Sequence, residues 1–198
     1  MTQKVLSSGA EATILELSAT SLCKLREKKR YRHSLLDAKL RRMRTKREVK
    51  VLKFLYEQGI AVPRVFAENY EQCSFDLEYI HGESLKACMS QELLVQAFDL
   101  IIALHNAGVV HGDLTTLNML HCKGNVVFID FGLAEFTHDI EKKAVDLHVF
   151  FICLKNNHEN YFHLKEKLLK QYGERAQKGE NIVQRLSAVE RRGRNKGK

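Results

Sequence analysis

The sequence predicts an α+β chain in two lobes: a small strand-rich front, residues 1–82, and a helical back, residues 83–198. In the front, short runs of β-branched and apolar residues alternate with turn residues, and only one long stretch has helical spacing. In the back, apolar residues recur at helical spacing in four segments. The change of pattern near residues 81–84 therefore predicts the boundary between the two lobes.

Short strands and one long helix are predicted for the front lobe. The segments "TILELS" and "SLCKL" predict two strands, with "SSGAEA" as the turn before them, and "CSFDLEYI" predicts a further strand. The segment "IAVPRVFAENY" holds the chain's single proline and predicts a turn that leads into a strand. Residues 34–58 predict a helix closed by Gly59, with these residues near a 3.6-residue period: Leu35, Leu36, Leu40, Met43, Val49, Leu52 and Leu55.

The back lobe is predicted to be built around one buried helix. The segment "SQELLVQAFDLIIALHNAG" has Ser90 as a candidate N-cap and Gly108 at its end. Because it is apolar around most of its circumference, it is expected to be central. "NVVFIDF" predicts a short strand, and three further helices are predicted from "IEKKAVDLHVFFICL", "YFHLKEKLLKQY" and "NIVQRLSAVERR".

The charge of the chain is positive and unevenly distributed. The formal net charge is +8, and residues 24–50 hold thirteen Lys or Arg against three acids. The segment "RRGRNKGK" is a second basic block. A single cluster is usually a solvated helix face, but two clusters favour a polyanion partner such as a nucleic acid.

The cysteines and the apolar stretches indicate a cytoplasmic or nuclear protein. The five Cys are scattered without a CxxC pair, which fits a reducing compartment. No signal-peptide pattern and no apolar stretch long enough to span a bilayer is present in the sequence. His121–Cys122 lacks partners at zinc-ligand spacing, so we interpret it as a turn residue beside a buried thiol.

Five residues are the candidates for a phosphotransfer site that binds ATP and Mg²⁺. Mg²⁺ prefers oxygen ligands, and Asn118 and Asp130 can supply them. Asp113 is the candidate carboxylate beside the attacking hydroxyl. Lys24, on a predicted strand, could hold the phosphates, and Glu48, on the predicted helix, could hold Lys24. The order Lys, Glu, Asp, Asn, Asp is that of protein kinases, with "HGDLTTLN" as the catalytic loop and "DFG" following.

The sequence departs from ordinary protein kinases at several positions. The glycine-rich loop is reduced to Gly9, where backbone amides could still approach the phosphates of ATP. Gly112 stands where an Arg normally receives a phosphorylated activation loop. Thr115 occupies the position of a Lys, and no APE motif follows DFG. Glu27 and Glu57 also lie near Glu48 in the sequence and are alternatives for the helix Glu. We therefore expect ATP chemistry without a peptide-docking segment, and we interpret Gly112 as the result of having no phosphorylated loop to bind.

The motifs closely resemble those of the small atypical kinase of the KEOPS (EKC) complex, the PRPK-like family. Aminoglycoside and choline kinases share HGD but follow it with His and Pro, and RIO kinases share the missing activation segment but lack "DFGL". The segments that carry the resemblance run from residue 9 to residue 194: "GAEA", "K-L-R-x-x-K-x-YRH-x-x-LD" from Lys24 to Asp37, "RTKRE", "GIAVPRV", "HGDLTTLN", "IDFGLA", "KAVDL" and "RGR".

The resemblance implies a minimal bilobal protein-kinase-like fold and an ATP-dependent Ser/Thr kinase that often acts as an ATPase. It implies work beside a sugar-kinase-fold transferase subunit and other KEOPS subunits, which make threonylcarbamoyladenosine in tRNA, with the basic tail near both. It assigns phosphate binding to Lys24, pairing to Glu48, catalysis to Asp113, and Mg²⁺ to Asn118 and Asp130. Backbone groups of Glu78 and Ile80 would meet adenine. Lys142 and Asn195 depart from the family pattern.

Two other functions are compatible with the same residues. The chain could be a non-catalytic scaffold that binds ATP, tRNA or a partner, although the complete set of site residues argues against this. It could also be a free-standing Ser/Thr protein kinase, although the missing APE segment argues against that.

Overall fold

The strands of the first part of the chain form one antiparallel sheet. The computed structural model describes residues 4–9, 11–29, 31–155 and 161–195. It contains two compact units, Met1–His81 and Gly82–Lys198. The elements of the first unit are β1 (Lys4–Ser8), β2 (Thr13–Ser18), β3 (Ser21–Leu25), α1 (Ser34–Glu57), β4 (Val65–Asn69) and β5 (Ser74–Glu78). The strand order in the sheet is β1-β2-β3-β5-β4.

The predicted elements of this unit are confirmed, with one strand missed. "TILELS" and "SLCKL" form β2 and β3, and α1 ends one residue before the predicted end. The "SSGAEA" turn was placed too early, because Ser7 and Ser8 belong to β1. As an edge strand whose residues are almost all exposed, β1 lacks the apolar alternation that identifies a half-buried strand. Residue 10 of "GAEA" lies outside the described residues.

The apolar residues of α1 do not all lie on a buried face. Val49, Leu52 and Leu55 are buried, but Leu35 is 77% exposed and Leu36 is 52% exposed. Met43 is exposed as well. The 3.6-residue period therefore describes packing only in the second half of the helix. In the first half, polar residues are buried instead, namely Asp37 and Thr45.

Asp37 fastens the beginning of α1 to the loop that follows β3. Its carboxylate is fully buried and accepts a hydrogen bond from Arg41 Nε at 2.7 Å and from the Lys29 amide at 3.4 Å. Arg32 Nη1 lies 3.9 Å away. Burial alone would raise the pKa of Asp37, but the hydrogen bonds and charge of Arg41 outweigh it and hold the pKa below its usual value. The "YRH-x-x-LD" motif thus forms an ion-pair cluster.

The second unit consists of helices and two small antiparallel sheets. The elements are β6 (Glu83–Ser84), α2 (Gln91–Asn106), β7 (Val109–Val110), β8 (Met119–Cys122), β9 (Asn125–Phe128), β10 (Glu135–Phe136), α3 (Ile140–Lys155), α4 (Tyr161–Arg175) and α5 (Gly179–Asn195). The strand orders of the two sheets are β6-β8-β9 and β10-β7.

α2 is apolar and largely buried, as predicted. Ser90 Oγ caps it by accepting from the Leu93 amide, and Gly108 follows it at φ +74°.

Short strands are what the sequence patterns missed in this unit. β6, β7 and β10 have two residues each, too few to show an alternation. The turn expected at His121–Cys122 is wrong, since both residues lie on β8 and are half-buried. The core of the unit is an aromatic cluster in which the Phe98 ring contacts the rings of Phe150, Phe151 and Tyr172. None of the helices in the described part of the chain is both long and apolar enough to cross a bilayer.

Replacing Asp37 by Asn is expected to lower the melting temperature by several degrees at pH 7, because Arg41 then lacks its carboxylate partner. A carboxylate with a lowered pKa stabilises the fold above its unfolded pKa of about 4 and loses this contribution as the pH falls through its folded pKa. The difference from wild type should therefore shrink below about pH 4. Thermal unfolding followed by circular dichroism between pH 3 and 8 measures it.

Glu68→Gln is the matched control, because its ion pair with Lys53 is partly exposed and contributes little. Equal melting temperatures for wild type and Asp37→Asn at pH 7 would contradict the role given to Asp37.

Candidate active site

In the first unit, the structure brings Lys24 and Glu48 together as predicted from the kinase order. Lys24 Nζ donates to Glu48 Oε1 at 2.6 Å, and both side chains are buried. The alternatives Glu27 and Glu57 are not the partner in this pair. β3 carries Lys24, and α1 carries Glu48 in its buried second half. Arg26, to which no role was assigned from the sequence, donates to the second oxygen, Glu48 Oε2, at 2.5 Å.

The reduced glycine loop lies between β1 and β2. The Gly9 amide donates to the Ala12 carbonyl at 3.0 Å, and φ at Gly9 is not positive. Glu11 in this loop pairs with Arg44 of α1, and Arg32 lies 3.9 Å from the same carboxylate. The hydrogen bond from Arg44 lowers the pKa of Glu11. The loop that was expected to approach phosphates is thus joined to α1 by the Glu11–Arg44 ion pair.

The two residues expected to meet adenine lie at the end of β5 and just after it. The Glu78 amide donates to the Arg64 carbonyl at 2.8 Å, and Glu78 Oε2 accepts from the Arg64 amide at 3.2 Å. The Glu78 amide is therefore already used, and its carbonyl is the backbone group that could serve adenine. Ile80 is half-buried. Adenine binding at Glu78 and Ile80 stays a prediction.

In the second unit, Asp113 and Asn118 meet across the catalytic loop. Asn118 Nδ2 donates to Asp113 Oδ2 at 3.0 Å and to the Asp113 carbonyl at 2.9 Å. The Thr115 amide donates to the Asp113 carbonyl at 2.8 Å, which closes the turn between them. Because the amide nitrogen of Asn118 is used in this way, its amide oxygen is the atom left to bind a cation.

Asn118 and Asp130 lie at the same end of the β8–β9 hairpin. The Ile129 amide donates to the Asn118 carbonyl at 2.9 Å, directly beside the Met119–Phe128 pair of the hairpin. Asp130 has φ +60° and is exposed. Oxygen atoms of one amide and one carboxylate are the hard ligands that Mg²⁺ prefers. No cluster of three or more His, Cys, Asp or Glu able to hold a metal occurs among the described residues, but a Mg²⁺–nucleotide needs fewer protein ligands.

His111 is a buried neutral residue that connects the catalytic loop to the DFG segment. Its Nε2 is 3.0 Å from the Ile129 carbonyl, and the Asp113 amide donates to its Nδ1 at 3.3 Å. These contacts fit the tautomer with the proton on Nε2. Burial lowers the pKa of His111, so the ring is uncharged near neutral pH. Its ring centroid lies 4.6 Å from that of Phe131, the buried aromatic of DFG.

Asp146 of α3 holds the backbone of the catalytic loop, and no role was predicted for it from the sequence. Its Oδ2 accepts from the His111 amide at 2.6 Å, and its Oδ1 accepts from the Gly112 amide at 2.9 Å. The side chain is buried. The "KAVDL" motif, in which Asp146 lies, was noted in the sequence. Nothing local in that motif indicates that Asp146 contacts residues more than thirty positions earlier.

A buried polar cluster also contacts Asp146. His105 Nε2 lies 3.3 Å from Asp146 Oδ2, and His105 Nδ1 lies 2.6 Å from the Tyr172 hydroxyl. Burial lowers the pKa of His105 and raises that of Tyr172. Lys143 Nζ donates to the His105 carbonyl at 2.6 Å, and burial lowers its pKa as well. Helices α2, α3 and α4 therefore all contribute to fixing the catalytic loop.

Gly112 stands in place of Arg for a backbone reason. Its φ is +81°, a region that L side chains rarely adopt, and an added Cβ would lie 2.6 Å from the Leu133 carbonyl oxygen. The sequence interpretation, that no phosphorylated loop exists to receive an Arg, is therefore incomplete. In this conformation no side chain fits, whatever its function.

Of the two residues that depart from the family pattern, the structure describes the side chain of Lys142 but not that of Asn195. Lys142 Nζ pairs with Glu135 of β10 at 2.5 Å, so this cation has a partner within the chain. The side chain of Asn195 lies outside the described part of the chain. Of the basic tail, Arg192 pairs with Glu141 of α3 at 2.6 Å, and residues 196–198 are not described.

Comparison with known proteins places these motifs in one family. Residues 11–145 match the model of the RIO domain. The chain is 39% identical to the KEOPS complex subunit Bud32 of Pyrococcus abyssi, with 96% of each chain covered. It is 38% identical to a probable bifunctional tRNA threonylcarbamoyladenosine biosynthesis protein of Methanospirillum hungatei, of which it spans 35% of the length.

The fold matches that of a solved kinase. The Rio2 kinase of Chaetomium thermophilum, crystallised as an ADP/Mg²⁺–phosphoaspartate complex, aligns over 96% of this chain and 70% of its own, with a TM-score of 0.64 and 16% identity. The α+β protein-kinase-like fold is therefore confirmed. RIO kinases, which the sequence analysis treated as a neighbouring group, share this chain's domain. The chain belongs to the RIO-domain family of kinase-like proteins, within its Bud32 group.

Proposed function

We propose that this chain binds Mg²⁺–ATP and transfers or hydrolyses its γ-phosphate in support of threonylcarbamoyladenosine formation in tRNA. The observation that carries the proposal is the intact catalytic loop, in which Asn118 fixes the Asp113 carboxylate and Asp146 fixes the loop backbone. The biological setting comes from the relatives, one named a KEOPS complex subunit and one a tRNA threonylcarbamoyladenosine biosynthesis protein.

Each candidate residue has a defined task in this proposal. Lys24, held by Glu48, binds the phosphates. Asp113 uses its second carboxylate oxygen to orient the attacking hydroxyl or water, since its Oδ2 accepts from Asn118. Asn118 and Asp130 hold Mg²⁺, which when bound neutralises charge developing on the transferred phosphoryl group. α3 begins at Ile140, shortly after Gly132, so little chain is available to form a peptide-docking segment.

A nucleic-acid partner is supported by charge on α1. Lys39, Arg42 and Arg47 are all exposed on this helix. Clustered exposed cations gain free energy by releasing counterions from a phosphate backbone. We therefore propose that tRNA contacts α1 and the basic tail, with a transferase subunit of sugar-kinase fold as the protein partner.

Asp113→Asn and Asp130→Ala are each expected to lower phosphate release by at least about a hundredfold, because one removes the catalytic carboxylate and the other a Mg²⁺ ligand. Release of labelled phosphate from Mg²⁺–ATP is measured for the full chain, alone and with the transferase subunit and tRNA. Asp99→Asn, an exposed carboxylate paired with Arg175 on the same unit, is the matched control and should leave release within about twofold of wild type.

The same assay separates the other functions. ATP binding with no release in any mixture would mean a non-catalytic scaffold. Efficient phosphorylation of a free peptide without the partner would mean a free-standing protein kinase. Unchanged release in both Asp113→Asn and Asp130→Ala would refute the proposed site.

Gly112→Ala is expected to lower both turnover and thermal stability. A non-glycine residue at positive φ costs about 1–2 kcal/mol, and the added Cβ must also displace Leu133 from the loop. Gly124→Ala is the matched control, since Gly124 has φ +84° but nothing within 4 Å of an added Cβ. Phosphate release should fall at least about tenfold in Gly112→Ala, or about 1.4 kcal/mol in the barrier. Equal release in the two variants would show that the close approach to Leu133 has no effect on catalysis.

Removing residues 191–198 is expected to weaken binding of tRNA or of the transferase subunit, because it removes a basic block. For tRNA, log affinity should fall linearly with log salt between about 50 and 200 mM, with a smaller slope in the truncated chain. Binding is measured by fluorescence anisotropy, with a Gly/Ser tail of equal length as the control. Unchanged affinity for both partners would mean that the tail is only a solvated end.

A further inference from the structure

The buried carboxylate of Glu48 has two cationic partners, one on each oxygen. Lys24 Nζ contacts Oε1 at 2.6 Å, and Arg26 Nη2 contacts Oε2 at 2.5 Å. The side chains of Lys24, Arg26 and Glu48 are 8%, 2% and 2% exposed. Lys24 and Arg26 are two positions apart on β3 and its extension, so both side chains leave the strand on the face toward α1. The kinase-like pair accounts for Lys24 and Glu48 but leaves Arg26 without a function.

We propose that Arg26 is a positioning residue that sets the orientation of Glu48 and thereby of the phosphate-binding Lys24. A carboxylate with a single cation nearby can turn and present both oxygens to it. Because Arg26 occupies Oε2, Glu48 keeps a one-oxygen contact with Lys24. This contact fixes which carboxylate oxygen faces the Lys24 ammonium, the group proposed to bind the phosphates.

Arg26 is itself held by contacts at its backbone. Its amide donates to the Cys73 carbonyl at 3.0 Å, and its carbonyl accepts from Arg41 Nη1 at 3.1 Å. Arg41 is in turn fixed by the buried Asp37. α1 is therefore attached to the segment after β3 at two places, at Glu48 and at Arg41, about two turns inside its beginning. Arg26 Nε is buried without a hydrogen-bond partner among the described residues, so Nη2 and the backbone are what anchor the residue.

These contacts position α1 without help from a phosphorylated activation loop. Where an Arg precedes the catalytic Asp, a phosphorylated activation loop can bias the position of the Glu-bearing helix. Here Gly112 stands in place of that Arg, so no Arg side chain is present at this position to bind a phosphorylated loop. The Arg26–Glu48 pair, inside the first unit, provides an internal substitute, so the Lys24–Glu48 pair is assembled in the unmodified chain.

The test is a double-mutant cycle on Arg26 and Glu48, and its turnover readout rests on the proposed function. Arg26→Met, Glu48→Gln and the double variant are compared for kcat, KM for ATP, and affinity for Mg²⁺–ADP by titration calorimetry. If Arg26 acts only through Glu48, each single variant should lose at least tenfold in kcat, and the double variant should be no worse than Glu48→Gln. Mg²⁺–ADP affinity should show the same non-additivity.

Matched variants keep the outcomes distinct. Lys53→Met removes an exposed cation of the same unit and should leave kcat within twofold. Arg26→Gln, which keeps a donor but no charge, replaces Arg26→Met if the latter is unfolded at the assay temperature. Effects of Arg26 and Glu48 that multiply, or a folded Arg26 variant with wild-type kcat and ADP affinity, would overturn the proposal. Loss of activity in Arg26→Met together with full activity in Asp130→Ala would instead count against the proposed function, and the ADP affinities would still decide the role of Arg26.

Discussion

The catalytic loop depends on one buried carboxylate that binds two consecutive backbone amides. Asp146 accepts hydrogen bonds from the amides of His111 and Gly112, and such bonds to a carboxylate are stronger than bonds between neutral groups. A buried carboxylate must find donors, because leaving it without them costs several kcal/mol. The loop satisfies Asp146, and Asp146 fixes the loop. His105, Tyr172 and the packing of three helices then surround this contact.

Buried charge is used in a similar way in the first unit. Asp37 and Glu48 are the two buried acids of α1, and each is matched by cations from the segment after β3 or from its own helix. Such ion pairs contribute little net stability compared with apolar packing. Glu48 nevertheless joins α1 to β3 and the residue after it, and Asp37 joins the beginning of α1 to the Lys29 amide. This explains why the first half of α1 is held in place while Leu35 and Leu36 face solvent.

Internal contacts hold the catalytic loop of this chain, in which only a short segment separates DFG from α3. In a larger kinase, segments after DFG receive signals and dock peptides. Here α3 begins at Ile140, and the Asp146 contact brings it directly to the catalytic loop. Gly112 lies where its backbone passes too close to Leu133 for any side chain. The catalytic loop is therefore held by contacts within the second unit itself.

Local patterns in the sequence determined the helices, the longer strands and the candidate residues for phosphotransfer, because apolar spacing, caps and the HGD and DFG motifs are short-range features. They did not determine the two-residue strands, the exposed leucines of α1, or the tasks of Arg26 and Asp146. Those depend on which distant groups meet: Glu48 is twenty-two positions from Arg26, and Asp146 is thirty-five from His111. A buried charge takes whichever donors the fold brings to it, and only tertiary structure decides which donors those are.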